Sequence, residues 1–143
     1  MRVVFVIGPA GSGKSTFIKN NFPDAIVVDL WNYQRHCYSI QGIIDSYLKT
    51  EEALKEAIKE NINTDNTVVL EHTLLRQIRR PQYIDAVKSL TDTPIEVFAM
   101  NPSQEEYKKR CNSSKKPFYS DYFKIYELPE SEEGFGSVTI VKE

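Results

Sequence analysis

The chain has 143 residues, a length that suits one domain, read here over 1–143. Hydrophobic residues make up 41% and charged residues 27%, the balance of a globular chain that needs no membrane, not of a disordered or fibrous one. A net charge of −2 argues against a globally basic nucleic-acid binder, and no apolar run is long enough to span a bilayer.

Residues 3–7 are a continuous apolar, β-branched run, the pattern of a strand buried on both faces of a parallel sheet. The run lacks a small-residue cleavage site, so no signal peptide is read there. After a Gly-rich turn, residues 14–21 carry Phe17, Ile18 and Phe22 at helical spacing, and Pro23 ends that helix. A second strand is predicted over 25–28, ending at Asp29. Two helices follow, 36–48 and 51–62, the second with Thr50 as its cap and with Leu54, Ala57, Ile58 and Ile62 on one face. A third strand over 67–70 ends at Glu71, and Pro81 opens a helix to Leu90 with Tyr83, Ile84 and Val87 inward. A fourth strand spans 95–99. Ser103-Gln104-Glu105-Glu106 forms a capping box for a helix to about Cys111. Residues 115–117 read as basic loop, 118–126 as helical spacing, and 137–141 as a last strand.

Strands alternating with helices mean βαβ units and a mainly parallel sheet covered on both faces. In such sheets ligands bind beyond the carboxyl ends of the strands, where Gly8, Asp29, Glu71 and Asn101 all fall. Gly8-Pro9-Ala10-Gly11-Ser12-Gly13-Lys14-Ser15 matches G-x-x-x-x-G-K-[ST] between a predicted strand and a predicted helix. The glycines let successive N–H groups curl around phosphate oxygens, and the helix N-terminus adds the positive end of its dipole. Gly8, Gly11, Ser12, Gly13, Lys14, Ser15 and Thr16 are therefore the candidate ATP-binding residues. Lys14 would reach the β- and γ-phosphates, and Ser15 would place its hydroxyl on Mg²⁺.

The sequence has no Asn-Lys-x-Asp segment for a GTPase and no Leu-Ser-Gly-Gly-Gln segment for a transporter ATPase, and it is short for a ring ATPase. What remains is a small kinase-like unit. Here the chain resembles the polynucleotide kinase-like group of P-loop kinases, an AAA-type, ATP-binding group related to zeta toxins. The resemblance rests on the loop, on Thr67-Val68-Val69-Leu70-Glu71-His72-Thr73 followed by Arg79, Arg80 and Tyr83, on Tyr107-Lys108-Lys109-Arg110, and on Glu132-Glu133-Gly134-Phe135. It implies a three-layer P-loop NTPase fold with a five-stranded, mainly parallel sheet ordered 2-3-1-4-5, a small lid at about 110–120, and ATP·Mg²⁺-dependent phosphotransfer. The family's usual Asp-x-Thr-Asn after the third strand is Glu71-His72-Thr73-Leu74 here, and Lys115 and Lys116 stand where a second lid arginine is usual.

By that resemblance Asp29 contacts the acceptor hydroxyl and takes its proton; the alternative is a solvated loop cap. Two roles suit Glu71, holding Mg²⁺ through water or positioning the acceptor, beside a structural pairing with a nearby arginine. Arg76, Arg79 and Arg80 form a basic cluster, with Arg79 favoured by the family match as a phosphate clamp. Arg110 would stack on adenine or contact phosphates. Trp31, Tyr33, Tyr38 and Tyr47 follow Asp29, where such kinases build the acceptor pocket, although core packing is the commoner use of such residues. His72 is read as a substrate contact; it forms no zinc-ligand pattern with His36, Cys37 and Cys111.

The resulting expectation is a cytoplasmic kinase that phosphorylates a small molecule, a nucleoside or a nucleic-acid 5′-hydroxyl. Its rivals are an ATP-binding module, a plain ATPase and a zeta-toxin-like nucleotide-sugar kinase. The two cysteines form no CxxC pair and fit a reducing compartment. The oligomeric state is not legible in the sequence.

Overall fold

The computed structural model describes residues 1–113 and 122–142. Its centre is strand β1 (Arg2–Ile7), in which Val3 through Ile7 are fully buried. β3 (Thr67–His72) lies on one side of it and β4 (Ile95–Met100) on the other, with β2 (Ile26–Asp29) and β5 (Ser137–Val141) at the edges. All four pairings are parallel, and the order is β2-β3-β1-β4-β5, as the family resemblance implied.

The pleat of β1 divides the core. Val3, Phe5 and Ile7 face a layer built by α3 (Ile40–Asn61) and α4 (Pro81–Lys88), which contribute Leu54, Ile58, Tyr83, Ile84 and Val87. Val4 and Val6 face α1 (Lys14–Asn21), which contributes Ile18 and, just beyond its end, Phe22. Both faces of β1 are therefore dry, which is why it reads as an unbroken apolar run. Phe135 closes the first layer, its ring edge-on to Phe5 at 6.1 Å between centroids.

Several boundaries differ from expectation. The two helices predicted over 36–48 and 51–62 are one helix, α3, preceded by a four-residue helix, α2 (Trp31–Gln34). Ser39 is the cap of α3, its hydroxyl accepting from Gly42 N–H at 3.0 Å. Thr50 sits mid-helix and donates its hydroxyl to the Ser46 carbonyl at 2.7 Å, which satisfies it without ending the helix. Ile62 falls outside the core at 44% exposure. β3 runs two residues further than predicted, so Glu71 belongs to the strand. α5 (Gln104–Ser113) begins after Ser103, whose hydroxyl accepts from Glu106 N–H at 3.1 Å. The Glu106 carboxylate turns to Arg110 instead of completing a capping box. A short helix, α6 (Tyr122–Ile125), falls within the region expected at 118–126; most of the proposed lid at 110–120, with Lys115, Lys116, Phe118 and Tyr119, lies outside the described residues.

The arginine cluster after β3 separates by burial. Arg80 is wholly buried and pairs with Glu133 through two contacts of 3.0 and 2.9 Å. It also donates to the carbonyls of Leu74, Leu75 and Glu127. Arg76 pairs with Glu127 at the surface, and Arg79, in the turn Gln77–Arg79, is exposed. A buried guanidinium must have partners for its donors, and Arg80 finds them on two segments about fifty residues apart. Replacing it by Met should cost about 3–5 kcal/mol of stability, because Glu133 and three carbonyls lose their donor. Arg79→Ala should stay within about 0.5 kcal/mol of the parent. Urea denaturation of both variants checks this contrast.

Candidate active site

β1 delivers its chain end into a loop whose backbone bends at glycines. Gly8 has φ +148° and Gly13 φ +99°, the latter serving as the residue before α1. A Cβ on Gly8 would lie 2.8 Å from Ser12 Oγ and 2.9 Å from Met100 Cβ, so the backbone there approaches β4 too closely for any side chain. The loop is tied to β3 by Gly8 N–H donating to the Thr73 carbonyl at 3.1 Å, and closed on itself by Ser12 N–H donating to Pro9 at 3.0 Å. Ser12 Oγ is buried without a hydrogen-bond partner among the described residues.

Lys14 folds over this loop. Its ammonium donates to the carbonyls of Gly8 at 2.7 Å and Pro9 at 3.1 Å. Ser15, one residue on, donates its hydroxyl to Glu71 Oε2 at 2.8 Å. Glu71 is paired in register with Asp29 across β3 and β2, which sets two carboxylates side by side at the strand ends. Asp29 accepts from the N–H of Trp31, the first residue of α2, at 3.0 Å. From the other side, α5 presents Arg110, whose guanidinium donates to the Ser12 carbonyl at 2.7 Å, and Tyr107, whose hydroxyl donates to Ala10 at 2.6 Å.

These groups line one cavity of about 1100 Å³. Of the residues singled out in the sequence, Gly11, Gly13, Lys14, Ser15, Thr16, Asp29, Glu71 and Arg110 line it, while Gly8 and Ser12 shape the loop from behind. Arg79 does not: its turn lifts it into solvent while its neighbour Arg80 takes the interior. Trp31 lines the cavity at 58% exposure, whereas Tyr33 and Tyr38 are surface residues at 38% and 92%. Gln34, Thr73 and Met100 also line it without having been singled out. Tyr107 was missed as a loop contact, although its spacing from Arg110 places both on one helix face.

His72 forms the floor beside Thr73. It is fully buried, and the edges of Tyr47 and Tyr83 each sit 4.8 Å from its ring centroid to centroid. Its Nδ1 accepts from Leu74 N–H at 3.3 Å, so the proton is on Nε2, which donates to the Tyr83 hydroxyl at 3.0 Å. Tyr83 in turn donates to the Tyr47 carbonyl at 3.0 Å. Burial, and then the nearby Lys14 charge, push the His72 pKa down to about 3. Leu74, held between His72 and Arg80, has φ +39°, a left-handed conformation that costs a branched residue of this kind about 1–3 kcal/mol.

The donor chemistry suits an oligophosphate with a hard cation. The loop amides and two cations suit phosphate oxygens, and the Ser15 hydroxyl and the Glu71 carboxylate are oxygen donors of the kind that would suit Mg²⁺ alongside phosphate and water. Among the described residues no group of three or more His, Cys, Asp or Glu side chains is placed to hold a metal by itself.

Residues 3–117 match the family model described as an AAA domain, and the chain belongs to that family. No curated protein sequence matches it. Among solved structures it is similar to a sugar kinase from Janibacter sp. (14% identity, TM-score 0.61, covering 99% of this chain and 85% of that one). It is similar also to the Mycobacterium tuberculosis APS kinase CysC solved with AMPPNP and APS (11% identity, TM-score 0.62, covering 97% and 87%). A third is the tunicamycin resistance protein of Deinococcus radiodurans (12% identity, TM-score 0.62, covering 96% and 85%). At these identities the likeness is one of fold: a parallel five-stranded sheet in the same P-loop NTPase arrangement.

The neutral state of His72 has a consequence for stability. In the unfolded chain its pKa returns to 6.5, so between that value and about 3 the unfolded state binds the extra proton. The stabilisation is intact above pH 6.5 and is lost progressively as the pH falls toward 3. Denaturation curves from pH 7 to 5 should show stability falling with a slope that approaches about 1.4 kcal/mol per pH unit, and His72→Gln should flatten that slope.

Proposed function

We propose that the protein is an ATP- and Mg²⁺-dependent kinase of the polynucleotide kinase-like type, acting on an alcohol held beside Asp29. The acceptor is a small molecule, a nucleoside or a nucleic-acid 5′-hydroxyl. The observation that carries this reading is the convergence on one cavity of the phosphate loop, the Ser15–Glu71 pair and the adjacent Asp29 carboxylate. An ATPase needs no second carboxylate set beside the first at the strand ends; a phosphotransferase uses one to orient and deprotonate its acceptor. The similarity to structures described as a sugar kinase and an APS kinase supports the same assignment.

In this mechanism the loop amides and Lys14 hold the β- and γ-phosphates of ATP, and Lys14 leaves the carbonyls of Gly8 and Pro9 to do so. Ser15 and Glu71 would hold a Mg²⁺ ion, which would supply charge neutralisation on the phosphate oxygens. Arg110 neutralises charge from the opposite wall. Asp29 aligns the acceptor hydroxyl and accepts its proton. The acceptor oxygen bonds to the γ-phosphorus as the bond to the β–γ bridging oxygen breaks, and ADP leaves with that electron pair. Arg79 is left out of this mechanism because it does not line the cavity.

The test is label transfer from γ-labelled ATP to added acceptors, with ATP binding followed in parallel by calorimetry. Lys14→Ala should abolish both binding and transfer. Asp29→Asn, which keeps an oxygen to accept from Trp31 N–H, should retain binding while transfer falls by about 10²–10⁴-fold. Phosphate release to water that is insensitive to Asp29→Asn, with no labelled acceptor, would identify an ATPase instead.

A further inference from the structure

We infer that the acceptor pocket selects an uncharged or cationic alcohol bearing a ring or another flat apolar face, and rejects phosphorylated and carboxylated acceptors. The inference rests on the kinase reading above and narrows its substrate class.

The sheet order separates the cavity into two flanks. β1 places the phosphate loop centrally, β4 and β5 bring Met100 and Val141 to one side, and β3 and β2 bring Glu71 and Asp29 to the other. The charges separate in the same way. Among the described residues the cations lining the cavity are Lys14 and Arg110, and both are bonded to carbonyls of the loop itself. On the β2–β3 flank the charged side chains lining the cavity are, among the described residues, the carboxylates of Asp29 and Glu71. A Mg²⁺ ion held by Ser15 and Glu71 would offset charge at Glu71 and leave the Asp29 carboxylate on this flank.

An acceptor carrying its own phosphate or carboxylate needs a cation on this flank, and the sequence offers several nearby that the fold sends elsewhere. Arg80 is buried against Glu133, Arg76 pairs with Glu127, and Arg79 is exposed away from the cavity. Arg35, directly after α2, is exposed and does not line the cavity. What the flank presents instead is the Trp31 indole at 58% exposure, the Gln34 amide and the Thr73 hydroxyl. A large aromatic surface left in water beside a carboxylate suits a ring that stacks on it or a cation that sits over its face, with the amide and hydroxyl available to neighbouring hydroxyl groups.

The experiment uses the intact chain and γ-labelled ATP. A small-molecule cell extract is first divided on an anion exchanger into an unretained fraction, holding neutral and cationic compounds, and a retained anionic fraction. A 5′-hydroxyl oligonucleotide is the third acceptor. Label should enter the unretained fraction at least tenfold faster than either of the others. Label entering the anionic fraction or the oligonucleotide at an equal or higher rate overturns the inference and leaves the kinase reading standing. Label entering none of the three, with ATP still bound in calorimetry, removes the kinase reading and this inference with it. With the labelled acceptor in hand, Trp31→Ala should raise its KM at least tenfold without moving the KM for ATP, and Trp31→Phe should restore most of the loss. An acceptor KM unchanged in Trp31→Ala overturns the stacking surface.

Discussion

The closeness of Gly8 to Met100 governs where everything else in the site can be. With the Met100 carbonyl 3.0 Å from where a Cβ would stand, the loop can leave β1 only by lying flat against the end of β4. From that start the chain has to turn back within five residues to begin α1, and it does so through the left-handed Gly13. The loop's amides are thereby presented at the carboxyl edge of the sheet, between the ends of β3 and β4. Lys14 and Ser15 follow at the first turn of α1, so Ser15 meets Glu71 because β3 is the neighbour of β1 on that side. A different sheet order would keep the motif and lose the pair.

A second set of constraints fixes the turn after β3. Arg80 reaches from the start of α4 to the Leu74 and Leu75 carbonyls, while Glu133 and Glu127 hold it from the C-terminal part of the chain. The strained Leu74 conformation persists because its carbonyl is taken by Arg80 and its N–H by His72. His72 thus sits at the junction between the cavity floor and the buried guanidinium. This gives the Glu132-Glu133-Gly134-Phe135 stretch a structural role: Glu133 neutralises Arg80 and Phe135 packs on Phe5.

Much of the phosphate-binding half of the site was legible beforehand because it is local. Gly8 to Ser15 are contiguous, their function depends on backbone conformation and on one helix start, and both are encoded within the same eight residues. The sheet was legible for a related reason: strands dry on both faces carry no alternation, and β1 and β3 show none over most of their length. Helix α3 reads as two in sequence because a mid-helix threonine and a capping threonine look alike; only the carbonyl that accepts the Thr50 hydroxyl distinguishes them.

The sequence by itself determined the phosphate loop, the run of strands and helices and the presence of a carboxylate at the ends of β2 and β3, since each follows from neighbours a few residues apart. Only the tertiary structure decided which of three similar arginines is buried, that Tyr107 and Arg110 brace the loop, and that Trp31 faces the cavity while Tyr38 faces water. Residue type and spacing are the same for a solvated arginine and a buried one. What separates them is whether carboxylates and carbonyls from distant segments arrive to satisfy the guanidinium, and that is settled by how the sheet and its helices pack.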